Sequence, residues 1–146
     1  MKIAVAGVGY VGLVTAVTLA DIGHDVICLD IDKNKLKMLN EGVSPIYEYG
    51  LEELMHKNRE RLTFTDDVTR YAEAQVIIIG VGTPEKEDGS ADLGAVFAVA
   101  DSVADNCSDE TVVVVKSTVP IGTCESVRRR ICLLYTSPSP RDRTRS

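Results

Sequence analysis

The sequence is short of the features that mark several common protein classes. No apolar run approaches the roughly eighteen residues of a membrane-crossing helix, so no membrane partner is expected. Cysteine occurs four times, at positions 28, 107, 124 and 132, with no C-x-x-C pair and no histidine at ligand spacing. No metal site is expected from that pattern. Histidine is scarcer still: His24 and His56 read as loop and helix-surface residues, not as general bases. Basic residues are outnumbered, 16 Lys and Arg against 22 Asp and Glu, for a formal net charge of −6. That balance argues against a nucleic-acid partner. It leaves room for an anionic small molecule, because a helix N-terminus binds phosphate locally whatever the global charge. The opening "MKIAVAGVGYVG" suits a buried first strand better than a signal peptide, so the cysteines are expected to be thiols and the chain cytoplasmic.

What is present alternates. "KIAVA" (2–6), "DVICLD" (25–30), "QVIIIGV" (75–81) and "TVVVVKS" (111–117) are near-continuous apolar, β-branched runs, the pattern of parallel strands covered on both faces. "RLTFT" (61–65) is a shorter candidate. Helical spacing lies between them. Val11–Ile22 ends at Gly23. "DKNKLKMLNEG" has Asp32 as N-cap, Leu36 and Leu39 on one face and Gly42 as stop. "GLEELMHKN" groups Leu51, Leu54 and Met55. "DLGAVFAVADSVADN" starts on Asp92 and sets Leu93, Val96, Phe97, Ala100 and Val103 along one stripe. The alternation predicts an α/β fold, a doubly wound parallel sheet of the Rossmann type, incomplete at its C-terminal end. At 146 residues the chain holds one domain. We place it at 1–131. The remaining "CLLYTSPSPRDRTRS" (132–146) turns to Ser, Pro and Arg with no apolar period and is expected to be a disordered, non-native tail.

The stretch "AVAGVGYVG" carries G-x-G-x-x-G straight after the first strand and opens the first helix. Those two conditions separate a dinucleotide loop from a chance match. Gly7 allows the tight turn, Gly9 lets a pyrophosphate approach the backbone, and Gly12 lets the helix pack on the strand. The N–H groups around Tyr10 and Val11, at the positive end of the helix dipole, would hold the phosphates. Asp30, at the end of the second strand, would accept the adenosine ribose hydroxyls and repel a 2′-phosphate, which favours NAD over NADP. Lys33 and Lys35 follow closely and could instead receive such a phosphate. Asp32 is better read as a helix cap. Two further strand-end loops, "GVGTP" (80–84) and "KSTVPIGT" (116–123), suit either a ligand contact or an ordinary turn.

With "GVGYVGL", "LDIDKNK", "GVSPIYEYGLEEL", "VGTP", "DGSADL" and "VVVVKSTVPIGT" in this order, residues 1 to 131 resemble the UDP-glucose/GDP-mannose dehydrogenase family. The resemblance implies NAD as cofactor and a nucleotide-sugar substrate whose C6 alcohol is oxidised to a carboxylate. UDP-glucose is the first substrate it suggests, with GDP-mannose or a UDP-N-acetylhexosamine as alternatives. It implies that Gly7, Gly9, Val11 and Gly12 form the pyrophosphate loop, that Asp30 and Lys35 contact the adenosine ribose, and that Thr83 and Thr118 lie near the nicotinamide. Thr118 would also order a water at the reacting carbon. The sequence departs from the family at Tyr49, where proline is usual. The family's catalytic cysteine and lysine and its dimerising helix are expected beyond Ile131, so the complete enzyme would be a homo-oligomer and this chain its NAD-binding domain, inactive alone. A reading from another class is a non-catalytic NAD-binding module.

Overall fold

The computed structural model describes residues 1–108 and 110–136. Five strands, β1 (Lys2–Ala6), β2 (Asp25–Leu29), β3 (Leu62–Thr65), β4 (Val76–Ile79) and β5 (Val112–Val115), form one sheet in the order β3-β2-β1-β4-β5. Every pairing is parallel. The helices are α1 (Tyr10–Asp21), α2 (Lys33–Asn40), α3 (Leu51–Lys57), α4 (Gly94–Asn106) and α5 (Thr123–Thr136), with a 3-10 segment at Val68–Glu73. The chain winds outward from β1 through β2 to β3 and then returns to the other side of β1. Its order therefore reverses between β1 and β4, the place where ligands bind in open α/β sheets.

Alternate residues of the central strands serve opposite layers. Ile3, Val5, Val26 and Cys28 pack with Leu13, Ala16 and Val17 of α1 and with Leu51 and Met55 of α3. Ala4, Ala6, Ile27, Leu29 and Ile77 pack with Val103, Ala104 and Tyr71 on the other side. Burial on both faces is why these strands read as unbroken apolar runs. The edge strand β5 departs from that expectation. Val113 and Val115 pack into the layer formed by α4 and α5, whereas Val112 and Val114 are 59% and 41% exposed. "RLTFT" proves a full member of the sheet, paired with β2 from Val26↔Leu62 to Leu29↔Thr65.

The helix starts follow local chemistry. The Asp32 carboxylate accepts from the N–H groups of Asn34 and Lys35 at 3.0 and 3.1 Å, capping α2 as its position predicts. On α4, Asp92 accepts the Gly94 N–H at 2.9 Å, and the buried stripe is Val96, Ala100, Val103 and Ala104. The α5 helix is tied to α4 by Arg130, which donates from Nη2 to Asp101 Oδ2 at 3.0 Å and lies 5.4 Å above the Phe97 ring. That hydrogen bond and charge hold the Asp101 carboxyl below its ordinary range. The helix runs on through Cys132 to Thr136, so helical structure passes the expected boundary at Ile131, with Ile131 itself packed against the core. Residues 137–146 of the expected tail lie outside the described residues. No helix among the described residues is long and apolar enough to cross a membrane.

Candidate functional site

At the sheet reversal, three glycines are packed backbone to backbone. Gly7, with φ +103°, directly follows β1. A β-carbon on it would lie 2.9 Å from the Gly80 carbonyl oxygen, and one on Gly12 would lie 1.9 Å from the Gly7 carbonyl oxygen. The first turn of α1 is thus pressed onto the β1–α1 loop and onto the end of β4. Gly9 is different. Its backbone (φ −74°, ψ −168°) suits any residue, and a β-carbon there would meet nothing within 4 Å. Two of the three motif glycines serve the fold, and the third keeps a space open.

That space is a cavity of about 370 Å³ lined by Ala6, Gly7, Gly9 and Gly82 together with Leu29, Asp30, Ile31, Lys35 and Asp66. Its remaining wall is Val68, Tyr71 and Val81 with Ala95, Ala98, Val99 and Ser102 of α4. The first bond inside α1 runs from Leu13 N–H to the Gly9 carbonyl at 2.9 Å. The preceding N–H groups of Tyr10, Val11 and Gly12 therefore stand before the helical ladder, at the positive end of the dipole. A diphosphate fits this place: an open glycine, helix-start donors and no side-chain cap on the helix. A ribose fits beside Asp30, and the apolar and small side chains contributed by α4 suit a flat heterocycle. The residues present therefore fit a dinucleotide.

Asp30 does more than the sequence suggests. Its Oδ2 accepts the Val8 N–H at 2.9 Å and its Oδ1 accepts the Asp32 N–H at 2.8 Å. The carboxylate fastens the glycine loop to the β2–α2 turn. Each oxygen retains a second acceptor site that a ribose hydroxyl can use. Lys35 lines the same cavity. Tyr71 was not singled out in the sequence. Burial, and then the charge of Asp30, push its phenol well above the ordinary range, so it stays a neutral hydroxyl.

Other expected residues lie around the cavity, not in it. Gly12 is buried beneath the loop. Tyr10 is 56% exposed, and a hydrogen bond to Glu48, with that carboxylate's charge, raises its phenol. This contact links the start of α1 to the segment holding Tyr49, itself exposed. Thr83 and Thr118 are brought together: the Thr83 hydroxyl donates to the Thr118 carbonyl at 2.9 Å, joining the loops after β4 and β5. Neither belongs to the cavity lining. Ser117 reinforces the junction, its buried hydroxyl donating to the Val81 carbonyl at 2.7 Å. Among the cysteines, Cys28 is buried in β2, and burial pushes its thiol far above the ordinary range, which removes it as a nucleophile.

The sequence reading missed Asp66, Tyr71 and the α4 wall. Asp66 had a signal: "FTDD" ends a strand in an acid as "CLD" does. Ala95, Ala98 and Ser102 had none, since small residues on a helix face resemble an ordinary solvent face.

Residues 1–136 match the family described as UDP-glucose/GDP-mannose dehydrogenase family, NAD binding domain. The chain is 50% identical over 135 residues to UDP-glucose 6-dehydrogenase of Rhizobium meliloti strain 1021, covering 90% of this chain and 31% of that protein. A solved UDP-glucose dehydrogenase from the hyperthermophilic archaeon Pyrobaculum islandicum superposes with a TM-score of 0.87 at 38% identity, over 93% of this chain and 33% of that one. A ternary complex of GDP-mannose dehydrogenase from Pseudomonas aeruginosa gives 0.88 at 37% identity, over 92% and 33%. The chain spans under a third of the length of the curated relative.

Proposed function

This chain belongs to the UDP-glucose/GDP-mannose dehydrogenase family and is its NAD-binding domain, and on that premise we propose that it is the cofactor half of an enzyme oxidising the C6 alcohol of UDP-glucose to UDP-glucuronate. The observation that carries the choice of sugar is the 50% identity to a UDP-glucose 6-dehydrogenase. The GDP-mannose reading is second, because the backbone of such an enzyme superposes as well.

Oxidising a primary alcohol to a carboxylate removes four electrons, and NAD, when bound, supplies a two-electron acceptor, so two cofactor molecules serve each sugar in turn. In this reading the Tyr10, Val11 and Gly12 N–H groups hold the diphosphate and Gly9 admits it. Asp30 and Lys35 hold the adenosine ribose. The loops joined through Thr83 and Thr118 shape the nicotinamide end, with Thr118 positioning a water. Cys28 is a structural thiol, and in this reading covalent catalysis falls to another part of the complete enzyme, which we take to be a homo-oligomer.

The test is an assay of the complete polypeptide with UDP-glucose and with GDP-mannose. The expected result is two NADH per UDP-glucose, little from GDP-mannose, and no sustained turnover by residues 1–146 alone. A higher kcat/KM for GDP-mannose would overturn the choice of sugar. Steady turnover by the 146-residue chain would overturn the division of labour.

A further inference from the structure

Asp66, the residue after β3, stands where its sequence neighbours alone would not place it. In the parallel register Leu29 pairs with Thr65, and the Asp30 N–H donates to the Thr65 carbonyl at 3.2 Å. The next residue of each strand is an aspartate, so Asp30 and Asp66 leave the sheet side by side, and both line one cavity, with Ile31 and Lys35. The Asp66 carboxylate also lies 3.3 Å from Lys33 Nζ. Both side chains are well exposed, 49% and 83%, so the pair adds little to stability. Its consequence is electrostatic. Of the two lysines that could have received a 2′-phosphate, Lys33 is held against a carboxylate.

We propose that Asp66 is a second determinant of cofactor choice, repelling a 2′-phosphate alongside Asp30 and holding the Lys33 charge away from it. This rests on the NAD reading of the cavity given above. NAD, with a neutral 2′-hydroxyl, meets no such repulsion, whereas NADP brings close to two negative charges beside these carboxylates. Removing the Asp66 charge while keeping its size therefore acts twice on NADP, by ending a repulsion and by releasing a lysine.

The experiment titrates the 146-residue chain, Asp66→Asn, Lys33→Met and the double variant with NAD, and with NADP by displacement of bound NAD, at low and high salt. At low salt Asp66→Asn should tighten NADP by about fivefold, the scale of one exposed charge, and leave NAD within about twofold. High salt should shrink the gain. Lys33→Met alone should change little, and added to Asp66→Asn it should take back part of the gain. An unchanged NADP affinity in Asp66→Asn, or equal shifts for both cofactors, would overturn the role of Asp66 while leaving the NAD site standing. A parent chain that binds no NAD would overturn the site and this role together.

Discussion

Gly12→Ala should cost the domain about 3 kcal/mol or more of stability, the upper range for a single substitution that overpacks a core. The new β-carbon would lie 1.9 Å from the Gly7 carbonyl oxygen and 2.8 Å from its carbon. Both atoms are backbone, and neither can swing aside as the tip of a long side chain could. On the other flank the end of β4 presses on the same helix turn, since a β-carbon on Gly80 would lie 3.2 Å from the Gly12 α-carbon. Relief would require α1 to lift from the sheet that buries Leu13, Ala16 and Val17. Alanine's better helix propensity, about 1 kcal/mol, works in the opposite direction and is outweighed. Against a total of roughly 5–15 kcal/mol for a typical domain, the loss should lower the melting temperature by about 10 °C or abolish the cooperative transition. Thermal and urea melts read this directly. Stability within about 1 kcal/mol of the parent would show that the close packing of these glycines is not as described.

The second large effect is expected at Asp30. Asp30→Ala removes a ribose acceptor and also the clamp on Val8 and Asp32, leaving two backbone donors without their partner. We expect NAD affinity to fall at least about tenfold and stability to fall by about 1–3 kcal/mol, the range for lost hydrogen bonds to a charged group. Asp30→Asn should not rescue it. Two N–H groups bond to two different carboxylate oxygens, and an amide would turn its NH2 toward one of them. Calorimetric titration with NAD beside a thermal melt separates the two roles. An unchanged melt would remove the clamp, and an unchanged affinity would remove Asp30 from the cofactor site.

Much of this architecture was legible in the sequence because local chemistry and tertiary placement agree. The apolar runs of β1, β2 and β4 are covered on both faces. Asp32 caps the helix it precedes. The G-x-G-x-x-G loop lies between a strand and a helix, as its meaning requires. The features that escaped were set by register and packing across the sheet. Nothing local in "RLTFT" says that it lies beside β2, and without that pairing Asp66 is only an acid after a weak strand. The double hydrogen bond of Asp30 depends on where the Val8 N–H arrives, twenty-two residues away in the chain. The opposite error occurred at "TVVVV", where valine content implied two covered faces and an edge position left one exposed. At "ICLLYT" the change of composition beginning at Cys132 suggested an end to structure, but α5 continues through it to Thr136, since Leu and Cys extend a helix as readily as they extend a core.

In the proposed function the β1–α1 loop holds the diphosphate of NAD over Gly9, and one substitution probes that placement alone. Gly9→Ala places a methyl group where the protein has nothing within 4 Å, on a backbone that any residue can adopt. Titrating NAD into the parent chain and into Gly9→Ala, with a melt of each in the absence of cofactor, should give saturable binding of one NAD by the parent. The variant should melt within about 0.5 kcal/mol of the parent, the usual scale of a change that touches nothing, and bind NAD at least about tenfold more weakly. Undiminished NAD affinity in a Gly9→Ala chain that melts like its parent would contradict the account, because the cofactor could not then lie against that loop.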